Sequence, residues 1–457
     1  MKILLIRPTP WKSLFGAESF LPLGIAYIAS SLEAAGHNVK VIDFTVQPYN
    51  DTELISLIKK ENPDVVGFSA VTPTVKSAYR TAKIVKENIH AKTVIGGPHP
   101  TAMPEEPLSN NIDFVVRGEG EFTIVDLCNH MNNPAIVKGI SYVKDKNIVH
   151  NPDRAYIKDL DSLPSPARHL FPPLKLYKGQ PALGNRLPVG NIMTSRGCPF
   201  NCTFCYKAVF GRHFRARSPE NVMQEWEELI KKYKVKEIAI VDDTFTTNVD
   251  RVFEICELIL KRNLEIPWSC PNGIRVDTVS YELLKKMNEA GCYRIALGIE
   301  SGSQKILDTI GKKISIRQIE DAVSIAKKSN IETTAFMMLG NLEETEETME
   351  ETIRFSKKIE PTYVQFVIAV PYPGSYLYEE VKRNGKIFIN DWDEYGPYEG
   401  KLCFEYKHIN KELIDRMYKK AYKEYYLRVN YILKQLFSLK TYTFFTRRLK
   451  AFVHFIK

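Results

Sequence analysis

The sequence predicts an α/β protein with an N-terminal Rossmann-like, doubly wound domain, a partial (β/α)6 barrel and a helical C-terminal tail. Two observations predict this fold class. Short apolar runs alternate with helical patterns in the first third of the chain and again from about residue 188, which is typical of parallel sheets joined by helices. The later series contains six candidate strands, which fits a partial barrel better than the eight strands of a closed one.

The first domain is assigned to residues 1–150. Its candidate strands are 2–7, 39–44, 65–69, 93–96 and 114–117. Several of these strands are followed directly by loops that carry glycine or proline. In an open α/β sheet, the carboxyl ends of the strands form the edge that binds ligands. We therefore expect a ligand site built from these loops.

A linker, residues 151–187, contains the proline-rich connector 161–166 and leads into the barrel, residues 188–405. The candidate barrel strands are 190–194, 237–242, 268–273, 293–299, 332–339 and 363–370. Residues 406–457 form a basic C-terminal region with helical patterning and no strand signals.

Hydrophobic residues make up 44% of the chain and charged residues 26%, which excludes disordered and low-complexity proteins. No apolar run approaches the roughly 18 residues of a membrane-spanning helix, and the N-terminal apolar stretch is too short for a signal peptide. We therefore expect a cytoplasmic protein. The net charge of +9 resides in the tail, because residues 406–457 contain thirteen Lys or Arg against three Asp or Glu.

The clearest chemical signal is a C-x3-C-x2-C motif, Cys198, Cys202 and Cys205, directly after the first barrel strand. Three thiolates this close can hold three irons of a [4Fe–4S] cluster and leave the fourth iron open, whereas zinc usually requires a fourth Cys or His. The remaining cysteines are expected to be small buried hydrophobic residues. They are Cys128, Cys256, Cys270, Cys292 and Cys403.

This loop resembles the radical S-adenosylmethionine (SAM) enzymes, whose signature is C-x3-C-x-aromatic-C with Phe204 as the aromatic residue. The resemblance continues at the ends of later strands, where that family builds its SAM site. The corresponding residues are Asp242, Asp243, Glu300, Ser301 and Gly340. From the residues alone other roles stay open, since the aspartates can cap the next helix, Glu300 can form a salt bridge, and Gly340 can permit a turn.

The N-terminal half looks similar to the cobalamin-binding domain of one large radical SAM subclass. The resemblance rests on Pro22-Leu23-Gly24 and on residues 36–39, 96–101 and 117–121. The cofactor contacts that it implies are Ser69, Thr72, Gly96, Gly97, His99, Gly118, Glu119, Gly120 and Glu121. The D-x-H-x-x-G signature of other cobalamin proteins is absent, which implies base-off cobalamin with no protein histidine on cobalt. The alternative is a degenerate domain that no longer binds a corrinoid.

The end of the tail has apolar residues at spacings of 4, 3 and 4, which are Phe445, Leu449, Phe452 and Ile456. Basic residues lie beside this stripe, so the pattern is typical of an amphipathic helix that contacts an anionic membrane from one side. Packing of the stripe on the barrel is the alternative. Aromatic residues interleaved with the basic ones raise nucleic-acid binding as a third option, but no recognised RNA or DNA motif supports it. They are Tyr425, Tyr426, Tyr431, Phe444 and Phe445.

The resemblance implies a cobalamin-dependent radical SAM enzyme that methylates an unactivated carbon of a small-molecule or lipid substrate. One SAM would methylate reduced cobalamin, and a second would give a 5′-deoxyadenosyl radical that removes a substrate hydrogen. Electrons would come from an external donor such as flavodoxin or ferredoxin. The same parts would also serve cyclisation, rearrangement or carbon–carbon coupling without methyl transfer. A rival from another class is a non-catalytic, metal-stabilised nucleic-acid-binding protein.

Overall fold

The computed structural model describes residues 1–9, 20–177, 186–388, 391–396 and 402–437. Within these residues, two parallel sheets with covering helices follow each other along the chain. None of the helices in these segments is long and apolar enough to cross a bilayer. The apolar stripe from Phe445 to Ile456 lies outside the described residues.

The N-terminal sheet contains seven strands. They are β1 (Lys2–Arg7), β2 (Asn38–Asp43), β3 (Val65–Ser69), β4 (Lys92–Gly96), β5 (Phe114–Val116), β6 (Ile140–Lys144) and β7 (Asn147–His150). Their order across the sheet is β2-β1-β3-β4-β5-β6-β7, and the first five run parallel. The chain changes direction across the sheet between β1 and β3, which is the kind of switch point at which doubly wound sheets bind ligands.

The five parallel strands lie where the sequence predicts them, but β6 and β7 are additional. These two strands pair antiparallel to each other, and β6 pairs antiparallel to β5. Asp145 and Lys146 form their turn with φ angles of 49° and 65°. Such a turn usually contains Asn-Gly or Asp-Gly, and the missing glycine is why the hairpin gives little sequence signal.

Six helices cover the N-terminal sheet. They are α1 (Leu23–Ala34), α2 (Asp51–Glu61), α3 (Val75–Asn88), α4 (Pro98–Ala102), α5 (Glu105–Leu108) and α6 (Glu121–Asn129). Leu54 of α2 and Ala82 of α3 belong to the apolar cluster on one face. Leu32 of α1 and Leu127 of α6 belong to the cluster on the other. Helices therefore cover both faces, as in a doubly wound fold.

The described residues from 186 onward contain ten strands. They are β8 (Val189–Ile192), β9 (Ser195–Arg196), β10 (Arg215–Ala216), β11 (Glu237–Ile240), β12 (Trp268–Ile274), β13 (Cys292–Glu300), β14 (Glu332–Leu339), β15 (Tyr363–Ile368), β16 (Lys386–Ile387) and β17 (Phe404–Glu405). Six of them form one parallel sheet in the order β15-β14-β13-β12-β11-β8. This sheet is the predicted six-stranded partial barrel. The pairs β9/β10 and β16/β17 are short antiparallel additions.

In the described part of this half, nine helices accompany these strands. They are α7 (Pro219–Lys231), α8 (Val249–Lys261), α9 (Tyr281–Glu289), α10 (Gln304–Thr309), α11 (Ile316–Lys328), α12 (Glu346–Ile359), α13 (Tyr376–Asn384), α14 (Lys411–Tyr426) and α15 (Val429–Phe437). The helices α7, α8, α9 and α11 each begin after a capping side chain that accepts a backbone N–H, which fixes where the preceding loop ends. The caps are Ser218, Asn248, Ser280 and Ser315.

One apolar cluster spans both halves of the chain. It includes Ala26 and Leu32 of α1 together with Ile192 of β8 and Ile238 of β11. Two hydrogen bonds accompany this packing: the Ala167 N–H donates to the Ala26 carbonyl at 3.0 Å, and the Asn191 amide donates to the Leu21 carbonyl at 2.9 Å. Burial of this common core holds the two sheets together.

The C-terminal helix α14 packs on the edge strand β15. The Tyr422 hydroxyl donates to the Phe366 carbonyl at 2.9 Å, and the Tyr426 hydroxyl donates to the Val364 carbonyl at 2.5 Å. The Tyr425 hydroxyl donates to the Pro361 carbonyl. These tyrosines belong to the barrel wall and are not available for stacking on bases. The nucleic-acid option therefore loses Tyr425 and Tyr426, while Phe444 and Phe445 lie outside the described residues.

Much of the positive charge on α14 and α15 is compensated within the fold. Three cations of these helices pair with carboxylates of α12 or of the residue that follows it: Arg416 with Glu346, Lys420 with Glu350 and Lys434 with Glu360. A fourth pair has the opposite sense, because Lys357 of α12 pairs with Glu424 of α14. Most of these side chains are a third or more exposed, so each pair contributes little stability. The pairs nevertheless give a structural reason for several of the cations between residues 406 and 437.

Two glycine substitutions should change stability in opposite directions. A Cβ on Gly97, whose φ is +110°, would lie 2.6 Å from the Ala70 carbonyl oxygen, whereas a Cβ on Gly24 in α1 meets nothing within 4 Å. We expect Gly97→Ala to lower the free energy of unfolding by about 2 kcal/mol or more. Gly24→Ala should raise it by about 0.5 kcal/mol. Thermal unfolding of both full-length variants measures this, and shifts of the same sign would contradict it.

Candidate active site

The cysteine loop, residues 197–205, follows β9 at the carboxyl end of β8. Two backbone hydrogen bonds attach it to the barrel: the Thr203 N–H donates to the Ile310 carbonyl, and the Leu377 N–H donates to the Thr203 carbonyl, both at 3.0 Å. Cys205 is exposed, and Cys198 and Cys202 are partly buried. The three thiols therefore lie on one anchored loop at the barrel mouth.

The start of the loop requires a glycine. Gly197 has a φ of +83°, and a Cβ there would lie 2.3 Å from the His213 carbonyl oxygen. Its N–H donates to the Asp243 carboxylate at 3.2 Å. The Arg275 guanidinium lies 3.5 Å from the centre of the Phe200 ring, and Phe204 packs against the core. These contacts fix the backbone that carries the thiols.

The charges around the thiols suit an anionic cluster. Lys207 Nζ is buried and has no hydrogen-bond partner among the described residues. Burial raises the pKa of the Cys202 thiol, while the ammonium groups of Lys312 and Lys207 act in the opposite direction. An unpartnered buried cation is costly unless it faces negative charge. Thiolates that hold an iron–sulfur cluster supply that charge, so the site fits the group.

The three cysteines need not converge on one point to hold a cluster. Across the described residues, no three His, Cys, Asp or Glu side chains are arranged to hold one metal ion. In a [4Fe–4S] site each cysteine binds a different iron, so the sulfurs need not converge on one point. The arrangement is compatible with the predicted four-iron cluster.

Asp242 supports the cysteine loop from the next strand. Its buried carboxylate accepts from the Thr194 N–H at 2.6 Å, from the Thr194 hydroxyl at 2.5 Å and from the Ser195 hydroxyl at 2.6 Å. Burial raises the pKa of this carboxyl, and the hydrogen bonds from Ser195 and Thr194 act in the opposite direction. Neither Asp242 nor Asp243 caps α8, because Asn248 does so. The helix-cap alternative is therefore wrong.

Glu300 ends β13 in a strained backbone conformation, with a φ of 69°. It is buried, and its carboxylate accepts from Lys312 Nζ at 2.7 Å. A non-glycine residue held at positive φ often marks a functional position. Ser301, the next residue, is fully buried and shares a 3.0 Å hydrogen bond with the Thr352 hydroxyl. Glu300 thus forms a salt bridge, which was one of the two roles open from the sequence. It lies at the barrel position predicted to bind SAM.

Gly340 follows β14 with a φ of +84°. Its N–H and that of Asn341 donate to Glu344 Oε2 at 2.6 and 2.9 Å. Burial raises the pKa of Glu344 to about 8, and its Oε1 is buried without a hydrogen-bond partner in the described chain. Glu344 therefore shapes this loop as a neutral carboxylic acid near neutral pH.

The predicted cobalamin contacts follow three neighbouring parallel strands. Ser69 and Gly96 are register partners at the ends of β3 and β4. The ring of buried His99 lies between two groups: its Nδ1 is 3.2 Å from the Thr72 hydroxyl and its Nε2 is 3.4 Å from Glu106 Oε2. Gly97 makes the close approach to Ala70 described above. These residues share one sheet edge, as expected from the strand directions.

The loop after β5 reaches the barrel. Gly118 has a φ of +70°, and a Cβ on Gly120 would lie 2.7 Å from the Ile28 side chain. Glu119 and Glu121 are buried and form ion pairs with Arg196, which precedes Gly197. Their side chains are thus engaged with the barrel, and their assignment as cobalamin contacts stays a prediction.

Sequence reasoning missed the partners of these residues. They are Arg196, Lys207, Arg215, Lys312 and Glu344. Only Arg196 carried a usable signal, because it lies two positions before the first cysteine of the motif.

Comparison with known proteins assigns the two halves. Residues 192–356 match the radical SAM superfamily, and residues 17–127 match the B12 binding domain. The chain is 38% identical over 448 residues to an uncharacterized methyltransferase of Pyrococcus horikoshii, covering 96% of this chain and 95% of that one. The chain belongs to the cobalamin-binding radical SAM enzymes. The two matched domains imply a [4Fe–4S] cluster, SAM and cobalamin as cofactors.

Two further relatives extend this result. The chain is 32% identical over 409 residues to the anaerobic magnesium-protoporphyrin IX monomethyl ester cyclase of Rubrivivax gelatinosus, covering 86% and 72% of the two chains. The fold of this chain is similar to that of OxsB, a cobalamin-dependent SAM radical enzyme solved with aqua-cobalamin and SAM bound. The TM-score is 0.78 at 18% identity, over 99% of this chain and 70% of that one. This likeness confirms the predicted fold class.

Glu344 should make stability depend on pH. Its folded-state pKa of about 8 lies above the ordinary value of 4.5, so the folded state retains a proton that the unfolded state releases. The resulting stability is full below about pH 4.5 and is lost as the pH rises toward 8, by up to about 1.4 kcal/mol per pH unit. Glu344→Gln keeps an acceptor without the titration. We expect the thermal midpoint of this variant to rise relative to the parent between pH 5 and 8.

The matched control is Glu347→Gln on the same segment. Glu347 is exposed, and the hydrogen bond to the Thr345 side chain lowers its pKa, so its contribution is constant above pH 5. A midpoint difference for Glu344→Gln that does not change with pH would show that this carboxyl is ionised in the fold.

Proposed function

We propose that this protein is a cobalamin-dependent C-methyltransferase that uses a [4Fe–4S] cluster and SAM to methylate an unactivated carbon. The observation that carries the joint use of both cofactors is the direct contact between the two candidate cofactor regions. Arg196, beside the cysteine loop, donates to Glu119 in the loop after β5 and to Glu121 at the start of α6. The methyltransferase relative, which matches over nearly its whole length, supports the same reaction.

The side chains at the barrel mouth would divide the work of binding. Cys198, Cys202 and Cys205 would hold three irons, with Lys207 as the positive charge beside them. Glu300 stands at the carboxyl end of β13, where barrel enzymes place their reactive groups. When bound, the cofactors supply radical hydrogen abstraction and a transferable methyl group. The chain's own part is to orient these groups and exclude water.

A second candidate function is radical cyclisation or carbon–carbon coupling without methyl transfer. The observation that favours it is the similarity to a relative named as a cyclase. Both reactions use the same cofactor loops, so the fold does not discriminate between them. The fate of the SAM methyl group discriminates between the two reactions.

The substrate is a small molecule or a lipid, and electrons come from an external donor such as flavodoxin or ferredoxin. Exposed Cys205 places one candidate cluster ligand at the protein surface, which supports electron delivery from outside. A nucleic-acid partner is disfavoured, because Tyr425 and Tyr426 hydrogen-bond to the barrel wall.

Methyl transfer can be tested with SAM labelled in its methyl group. The reconstituted enzyme, with cobalamin and a reductant, should move the label into a product when it is incubated with an extract of small molecules and lipids. It should also release 5′-deoxyadenosine. Replacing Cys198, Cys202 and Cys205 by Ala should remove the cluster absorbance and abolish both products. Deoxyadenosine release with a modified but unlabelled product would support cyclisation or coupling instead.

We further propose that cobalamin binds base-off, without a histidine on cobalt. His99, the histidine on the predicted cobalamin edge, has its ring nitrogens beside Thr72 and Glu106 and packs edge-on against Trp392 at a centroid distance of 5.0 Å. The Nδ1 contact with Thr72 and the packing against Trp392 support a structural role for the ring, while Nε2 has no hydrogen-bond partner among the described residues.

Electron paramagnetic resonance of the Co(II) form tests this coordination. We expect a spectrum without nitrogen splitting from a protein side chain, and the same spectrum from His99→Gln, because the cobalt has no imidazole ligand. A nitrogen splitting that disappears in His99→Gln would instead identify His99 as the ligand.

We also propose that the C-terminal tail attaches the enzyme to anionic membranes. The helix α15 supports this, because Val429, Ile432 and Leu433 lie on one face and are 70%, 37% and 45% exposed. Residues 441–457, which lie outside the described chain, continue with an apolar stripe beside cations. Each basic residue near such a surface contributes about 1 kcal/mol, which gives reversible binding.

Co-sedimentation with vesicles rich in phosphatidylserine tests the attachment. Full-length protein should pellet at low salt, and a chain ending at Lys440 should pellet less. Ile432→Ser combined with Leu433→Ser should also weaken pelleting, while Tyr281→Ser, an exposed residue of α9, should not. Equal pelleting of full-length and shortened chains would remove the role of the tail.

A further inference from the structure

We propose that a buried ion cluster of Glu119, Glu121, Arg196 and Arg215 clamps the cysteine loop onto the N-terminal sheet and so sets the separation of the two cofactors. The second half of this inference rests on the proposed function, since it needs bound cobalamin. The first half concerns only the chain itself.

The Arg196 guanidinium divides its two ends between two carboxylates. Nη1 donates to Glu119 Oε1 at 2.9 Å, and Nη2 donates to Glu121 Oε1 at 2.6 Å. The flat guanidinium also lies 5.1 Å from the Tyr27 ring centre and 5.0 Å from that of Phe210. Aromatic rings hold its plane while the carboxylates hold its two ends, so its orientation is fixed.

Arg215 completes the cluster from the strand paired with β9. Its Nη1 donates to Glu119 Oε2 at 2.8 Å and to the Ile157 carbonyl at 2.6 Å, and its Nη2 donates to the Phe210 carbonyl at 2.6 Å. Glu119 Oε2 in turn accepts from the Ile157 N–H at 2.7 Å. The cluster therefore joins the linker, the segment after the cysteines and the loop after β5.

Burial makes these contacts specific. The side chains of Arg196, Glu119 and Glu121 are 3%, 3% and 6% exposed, and that of Arg215 is 9% exposed. Apolar side chains would hold two domains together at least as strongly as buried ion pairs do. What forked charged hydrogen bonds add is geometric precision. Their use at this place indicates that the relative position of the two loops matters.

One side of the clamp lies in the predicted cobalamin loop, and the other side lies directly before the cysteine loop. Arg196 lies two residues before Cys198, so a shift of its guanidinium moves the first cluster ligand. Glu119 and Glu121 stand in the predicted cobalamin loop, 77 and 75 positions away in sequence. Methyl transfer to a substrate radical requires that both cofactors reach one substrate atom, and reacting groups must be held to within about 0.5 Å. The clamp supplies this constraint as a set of positioning residues.

The test uses full-length protein with a reconstituted iron–sulfur cluster. Glu121→Gln removes one charge, and Arg196→Lys keeps the charge but cannot span two carboxylates. Arg168→Lys is the control, because Arg168 belongs to a second buried cluster with Glu225 and Arg217 that contains no residue of the cysteine loop. If one variant does not fold, the other carries the same test.

Hydrogen exchange of peptides covering residues 195–205 is the first readout, measured without cobalamin. Glu121→Gln and Arg196→Lys should speed exchange there by on the order of tenfold, although residue 121 lies in the other half of the chain. Arg168→Lys should leave these peptides at the parent rate. Parent-like exchange in both clamp variants, or an equal increase in the control, would overturn the clamp.

The second readout is the magnetic coupling between Co(II) cobalamin and the reduced cluster, which reports their separation. The parent should show one defined coupling, and the clamp variants a weaker or broadened one at unchanged iron and cobalt content. An unchanged coupling would refute the control of cofactor distance. A parent that binds no cobalamin would refute the proposed function and this second half together, while the exchange result still decides the first half.

Discussion

Burial of one continuous apolar core is the constraint on which the rest of the molecule depends. Ala26 and Leu32 of α1 and Ile192 of β8 belong to the same cluster, so one face of the N-terminal sheet shares its core with the barrel. Hydrophobic burial is not directional, and it brings the two strand edges together without setting an angle between them. Directional contacts set this angle. They are made by the Asn191 amide in the core and by the Arg196 guanidinium at the barrel mouth.

The parallel strands could be predicted because strands covered on both faces read as continuous apolar runs. β3 is an example, with four of its five residues buried. The hairpin of β6 and β7 could not be predicted in this way, since β7 is largely exposed and the Asp145-Lys146 turn has no glycine. Sequence pattern thus identifies the elements that the core needs and misses those added at its margin.

The same limit applies to the candidate site. The cysteine motif could be predicted because its three ligands share one loop, so that residues close in sequence are also close in the structure. The positions of Asp242, Glu300 and Gly340 in the fold could also be predicted, because these residues lie at or just after the ends of predicted strands. Their partners were not, because contacts such as Glu119 with Arg196 join residues 77 positions apart. The pattern likewise gave no sign that Tyr425 and Tyr426 face the barrel wall.

The tyrosines of α14 that bond to β15 have a consequence for how such enzymes diversify. An open sheet must protect its last strand, and here phenolic hydroxyls of α14 bind main-chain atoms of that strand. A bond to a carbonyl oxygen does not depend on which side chain the strand carries at that position. Side chains of β15 that face the barrel interior can therefore be exchanged while the strand keeps its attachment. The terminal strand is a place where one scaffold can acquire new substrate preferences without refolding.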